Sequence, residues 1–223
     1  MNPRDYDCIV IGAGHAGAEA AHAAAKMGAR TALITMSRSS IAQMSCNPAI
    51  GGLAKGQMVR EVDALGGLMG RAIDATGIQF RILNRSKGPA VQSPRAQADK
   101  YQYASWIRQA LEQQSGLTII EGTVRDILTE SGAVTGIRLE TELVYRAQTV
   151  IVTTGTFLRG VMHLGTEQWS GGRIDEPASK GLSLSLERLG LTVARLKTGT
   201  PPRLDGATVD FAALEVQHGD PVP

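Results

Sequence analysis

Cysteine is scarce in this chain: Cys8 and Cys46 are the only two among 223 residues. Two thiols cannot build a disulfide framework, and such sparse use fits a reducing compartment. Long apolar runs are missing as well. The early run "CIVI" is far shorter than the roughly 20 residues that cross a bilayer. The opening "MNPRDYD" is acidic as much as basic, unlike a secretory signal. A cytoplasmic protein with no membrane segment is therefore expected. Aromatic residues make up only 4% of the chain, which leaves few side chains to stack on an extruded base. Phe80, Tyr101, Tyr103 and Trp106 are available, but the last three fall on a predicted helix, where packing in the core is expected. His22, His163 and His218 show no ligand spacing, so no metal site is expected, and no Ser, His and Asp order suggests a hydrolase.

With 43% hydrophobic and 20% charged positions, the chain can bury a substantial core as one large or two small domains. Its net charge of +2 hides an asymmetry. Lys55 to Arg108 holds nine Lys or Arg against four Asp or Glu, whereas Gln109 to the end holds ten against fourteen. The basic surplus is local, carried by Arg71, Arg81, Arg85, Lys87, Arg95 and Lys100. Such a stretch reads either as a surface for nucleic-acid phosphates or as an ordinary solvated face.

The stretch "YDCIVIGAGHAGAEAAHAAAKMGARTALIT" has the order strand, glycine turn, alanine-rich helix, strand. Cys8 to Ile11 form the continuous apolar run of a buried parallel strand. Gly12, Gly14 and Gly17 follow at GxGxxG spacing. The first allows a tight turn, the second lets a pyrophosphate approach the backbone, and the third lets helix and strand pack closely. A helix N-terminus placed there favours an anion. The acidic residue that usually holds the ribose is absent, because the second strand ends "LITMSRSS". Thr35 or Ser37 offers a hydroxyl in its place.

Further on come a helix over about Gln97 to Gln114, a strand, a hairpin meander with turns at "ESGA" and near "ETEL", and a strand ending at Thr153, Thr154 and Gly155. Flavoproteins of the glutathione-reductase type build an adenine dinucleotide site in this order, and simple NAD dehydrogenases lack the meander. The expected fold is thus α/β, an FAD-binding Rossmann-like domain with a parallel sheet and a β-meander. FAD is preferred over NAD. Along the chain, residues 1–36 read as the dinucleotide βαβ unit, 37–108 as an active-site and basic insertion, 109–160 as strand, meander and TTG strand, and 161–223 as the start of a substrate or insert region.

"SCNPAIGGLAKGQ", Ser45 to Gln57, gathers the second thiol, a proline and three glycines. A thiol becomes a useful nucleophile as thiolate, favoured by a helix N-terminus or a cation. Pro48 reads as a breaker before a helix, the glycines as a thin wall beside a flat ring, and Lys55 as the nearest cation in sequence. The alternative is a small buried residue, which most lone cysteines are. Cys8, inside the first strand, reads as packing.

The strings "GAGHAGAEAA", "QMSCNPAIGGLAKGQMVREVDALGGLMGRAID", "GIQFRILNRSKGPAVQSPRAQADK", "GTFLRGVMHLG", "SGGR" and "RLKTGTPPRL" resemble the MnmG family, also called glucose-inhibited division protein A. The likeness runs from Asp7 to Asp220. It implies the FAD subunit of an enzyme that adds carboxymethylaminomethyl or aminomethyl groups to C5 of the wobble uridine of tRNA. It also implies a homodimer working with the GTPase MnmE, with NADH as reductant, methylene-tetrahydrofolate as carbon donor, and glycine or ammonium. Family chains are several hundred residues long, so the likeness implies a fragment, with the NADH-binding domain outside these residues. Carried over by resemblance, Gly12, Ala13, Gly14, His15, Ala16 and Gly17 contact the FAD phosphates, Val124 and Ser179 are further FAD contacts, and Cys46 is the functional cysteine. As nucleophile it would add to C6 of uracil and make C5 enolate-like; a competing role is to protect or poise the flavin. A folate-dependent tRNA uridine methyltransferase shares the opening fingerprint but not "CNPAIGG" or "KGPAVQSPRAQADK". A non-catalytic FAD-binding module is the reading from another class.

Overall fold

A computed structural model describes residues 5–174 and 176–221. The elements in chain order are β1 (Asp5–Ile11), α1 (His15–Lys26), β2 (Thr31–Thr35), β3 (Ala49–Gly51), α2 (Lys55–Ala64), α3 (Met69–Thr76), β4 (Gly77–Leu83), β5 (Ser93–Ala98), α4 (Lys100–Glu112), β6 (Leu117–Glu121), β7 (Val124–Glu130), β8 (Ala133–Leu139), β9 (Val144–Val152), β10 (Val161–Leu164), β11 (Glu167–Ser170) and α5 (Gly181–Arg188). They sort into two compact units, residues 1–43 with 104–195, and residues 44–103 with 196–223.

The first unit is built on a six-stranded sheet of order β6-β2-β1-β9-β8-β7. Four strands are parallel, with β1 flanked by β2 and β9, and β6 outside β2. The apolar run of β1 and the wholly buried β2 supply its centre, as a sheet covered on both faces requires. Side chains alternate across a strand, so Ile9, Ile11, Ala32 and Ile34 share one face. They pack against Val124, Ile137, Leu139 and Ala147 of the antiparallel meander β7-β8-β9 and against Leu182 of α5. Val10 and Leu33, fully buried, point to the opposite face. There α1 packs on β1 and β2 through Ala18, Ala21, Ala24 and Ala25. Alanine suits this place twice over, as the best helix former and as a side chain short enough for close approach.

Helix α5 is fastened to β7 by polar contacts. Ile127 N–H donates to Ser185 Oγ at 2.9 Å. Asp126 pairs with Arg188 and with Arg125, which also holds Glu142. Burial pushes the Asp126 carboxyl up, but the two guanidinium groups prevail and hold it below the usual carboxylate range. The two-stranded ribbon β10-β11 stands apart from the six-stranded sheet.

The second unit carries an antiparallel sheet of order β3-β5-β4 with α2 and α3. Its outer edge at β4 is covered by the stretch 217–220. Asp220 N–H donates to Phe80 O at 2.8 Å, Ile82 N–H donates to Asp220 Oδ2 at 2.8 Å, and Gln79 Nε2 donates to Gln217 O at 2.7 Å. An unpaired edge invites association, and this cover removes it.

Three sequence expectations change here. The segment 93–98 is a strand, so the helix expected from Gln97 begins only at Lys100, after Asp99, whose Oδ1 accepts from the N–H groups of Tyr101 and Gln102. Tyr101 is not core: it is 76% exposed, with the Lys100 ammonium 4.9 Å from its ring centre, while Tyr103 on the same helix is buried. Pro48 leads into β3 rather than a helix, and α2 starts only at Lys55.

The tightest joint is between α1 and the turn after β1. A Cβ on Gly17 would lie 1.7 Å from Gly12 O and 2.6 Å from Thr153 Oγ1. Gly17→Ala should therefore lower unfolding stability by roughly 3 kcal/mol. At Gly14 a Cβ would meet nothing within 4 Å and φ is −71°, so Gly14→Ala should leave stability almost unchanged. Urea unfolding of the two variants measures the contrast.

Candidate dinucleotide site

The C-terminal ends of β1, β2 and β9 converge on the glycine turn. Gly12 N–H donates to Ile34 O at 2.8 Å, and Gly12 takes φ of +97°, a conformation that favours glycine. Thr153 N–H donates to Ile11 O at 2.8 Å, and Thr153 Oγ1 lies 2.9 Å from the carbonyl oxygens of both Ile11 and Gly12. The turn is thus locked from both neighbouring strands. Helix α1 begins at once, capped by Gly14 with no side-chain hydrogen bond and with no carboxylate in its first turn. The backbone N–H groups of Ala16 and Gly17 have no acceptor within the helix, since the first four never do, and the helix dipole adds positive potential there. Gly12 and Gly17 have no room for a side chain, whereas the space beside Gly14 is open. An anion that needs close backbone approach fits this cradle.

A cation stands beside it. Ala42 N–H donates to Ala13 O at 2.9 Å, and the next residue, Gln43, accepts from Arg173 Nη1 at 2.7 Å. Arg173 lies 5.1 Å from the Phe157 ring centre and 3.6 Å from Glu176. Its field reaches His15 in the first turn of α1. Burial first, then Arg173, hold the His15 imidazole below the ordinary histidine range, with Glu19 working the other way.

Val124 and Ser179 lie in the same unit. Val124 is buried, its side chain inside the core cluster, so any ligand contact runs through its backbone. Ser179 is buried too, with its N–H on Phe157 O at 2.9 Å and its carbonyl accepting from Arg159 N–H at 2.8 Å. At the end of β2, the Thr35 hydroxyl donates to Ser37 O at 3.0 Å, and Ser37 Oγ accepts from Ser39 N–H at 3.2 Å. Both hydroxyls that stood in for the missing acid make local hydrogen bonds.

Cys46 belongs to the other unit and is exposed. Its Sγ lies 3.9 Å from Gly199 O, and Arg203 Nη2 donates to Ser45 O at 3.0 Å, so the segment 199–203 runs beside the thiol loop. Two of the three glycines after it, Gly51 and Gly56, serve packing, while the space beside Gly52 is open. A Cβ on Gly51 would lie 2.2 Å from Pro94 O, and one on Gly56 2.3 Å from Ser93 Oγ. Cys8 is buried on β1. The basic stretch is partly neutralised, since Arg85 pairs with Asp220 at 2.6 Å, while Arg81 Nη1 donates to the uncharged Gln217 Oε1 at 3.3 Å. Among the described residues no group of His, Cys, Asp or Glu is placed to hold a metal ion, and no helix is long and apolar enough to cross a membrane.

Residues 7–223 match the family model described as glucose inhibited division protein A. The chain belongs to this family. It is 57% identical, over its whole length, to the tRNA uridine 5-carboxymethylaminomethyl modification enzyme MnmG of Rhodopirellula baltica, and covers 36% of that protein. Among solved structures, it superposes on Aquifex aeolicus GidA with a TM-score of 0.95 at 53% identity, over 99% of this chain and 36% of that one. The chain therefore spans about a third of the length of the relatives it matches. The GidA-related protein of Thermus thermophilus, at 24% identity and a TM-score of 0.61 over 83% of this chain and 68% of that one, shares the fold. The family's fold is that of FAD-binding Rossmann-like domains.

A histidine base with a lowered folded pKa stabilises the fold fully above its unfolded value of 6.5 and loses that contribution as pH falls below it. The unfolded chain takes up a proton there that the folded imidazole refuses. Arg173→Gln should move the His15 pKa upward in an NMR titration of the imidazole, and His15→Gln should flatten the fall in stability just below pH 6.5.

Proposed function

We propose that this chain forms the FAD-holding part of a flavoenzyme that modifies C5 of the wobble uridine in tRNA. The observation that carries the reading is the phosphate cradle: a locked glycine turn, open space beside Gly14 alone, and a helix N-terminus with no acid in its first turn. Gly12 to Gly17 hold the diphosphate of FAD, the backbone at Val124 and Ser179 borders the same ligand, and the bound flavin supplies redox chemistry. The family assignment and 57% identity to an MnmG enzyme support the substrate class. In this reading the product is a carboxymethylaminomethyl or aminomethyl uridine, made in the cytoplasm by a homodimer acting with the GTPase MnmE. NADH supplies reducing equivalents, methylene-tetrahydrofolate the carbon, and glycine or ammonium the nitrogen.

Cys46 is assigned the nucleophile. Its exposure makes the sulfur accessible to a base, and addition of Sγ to C6 of uracil would place negative charge on C5, the carbon that must form the new bond. Elimination of the thiolate after loss of the C5 proton then restores the ring. Cys8, buried within β1, has no such access.

Two variants test this. Gly14→Val fills the one open position of the cradle, so the folded protein should lose bound flavin absorbance while unfolding normally; full flavin content would remove the assignment. Cys46→Ser should keep both flavin and stability but abolish wobble-uridine modification, read by mass spectrometry of nucleosides from cells that carry it as the only copy. Normal modification would end the nucleophile role.

A further inference from the structure

The fingerprint lacks its acid at the end of β2, yet a carboxylate is present at the same level from a different strand. Thr35, the last residue of β2, pairs in register with Glu121, the last residue of β6, and Gly122 N–H donates to Thr35 O at 2.8 Å, which fixes that level. Glu121 is exposed, and its Oε1 accepts the Arg38 N–H at 2.6 Å. The Arg38 guanidinium does not neutralise it: Nη2 donates instead to Ile119 O at 2.6 Å. Among the described residues Glu121 has no ion pair, so a carboxylate that is anchored but uncompensated stands at the carboxyl edge of the sheet, where ligands of open α/β folds bind. From β1 to β6 is two strand spacings, roughly 10 Å, within the span of an ADP group whose diphosphate lies at Gly14. Three residues on, Val124 borders the same region of the chain.

We infer that Glu121 is the ribose-binding acid of this site, accepting hydrogen bonds from the 2′- and 3′-hydroxyls of the adenosine of FAD. This rests on the dinucleotide reading above and adds the residue that its fingerprint does not supply. A carboxylate suits a vicinal diol because its two oxygens accept and none donates. The backbone anchor at Arg38 leaves that acceptor capacity largely intact while fixing the rotamer.

The test uses the intact protein freed of flavin, with calorimetric titration of ADP and of 2′,3′-dideoxy-ADP. Wild type should prefer ADP by roughly tenfold, the size of a charge-assisted hydrogen bond. Glu121→Ala should reduce that preference to about one. Glu121→Gln keeps an acceptor for the Arg38 N–H and so the turn, and should show an intermediate preference. A purely structural Glu121 would weaken both ligands equally and leave the preference unchanged in both variants, which would overturn the proposal, as would a wild type with no preference. A wild type that binds neither FAD nor ADP would instead bring down the dinucleotide reading, and this assignment with it.

Discussion

The close approach of α1 to the turn after β1 is the constraint on which the rest of the first unit depends. Because Gly17 lies against Gly12 O and Thr153, the helix can start immediately at the end of the strand, and its first-turn N–H groups face the carboxyl edge of the sheet. Any side chain at Gly17 would push the helix away and tilt those donors. The alanine face of α1 serves the same end, since larger residues at Ala18 or Ala21 would hold the helix farther from β1 and β2. The Thr153 hydroxyl then binds the turn to β9. Close packing and the hydrogen bonds that lock the turn together present the donors.

Charge is arranged around that geometry. The first turn of α1 holds no carboxylate, and burial, aided by Arg173 that Gln43 fixes, holds the His15 imidazole below the ordinary histidine range. Glu121, which has no ion pair among the described residues, is two strands away, where the proposed site takes a sugar rather than a phosphate. Positive potential at the diphosphate end and a carboxylate at the ribose end match the polarity of a dinucleotide. The Asp126 cluster is of another kind, since its acid is fully paired with arginines and fastens α5 to the meander.

Much of the first unit is legible in the sequence because its signals are local. The strand, turn and helix from Asp5 to Lys26 follow from an apolar run and three glycine positions, and the meander follows from turn residues spaced along one stretch. Contacts distant in sequence are not legible. No pattern shows that Glu121 would align with Thr35 across a sheet, or that Asp220 would neutralise Arg85, because sheet pairing and edge cover decide both. The glycines of "SCNPAIGGLAKGQ" suggest a ligand wall, yet Gly51 and Gly56 make room for the backbone and side chains of β5, a strand farther along the chain whose end reads as helix in sequence. At these two positions the partner is protein, while the space beside Gly52 stays open. Tyr101 misleads for a related reason: a helix face turned to solvent looks the same in sequence as one turned inward when a single aromatic marks it.

The most direct test of the central claim is an amide NMR titration of the flavin-free protein with FAD. Saturation at one equivalent, with the largest shifts at the backbone N–H groups of Gly14, Ala16 and Gly17, is the predicted result. Absence of binding, or binding that leaves those amides in place while shifting others, would contradict it.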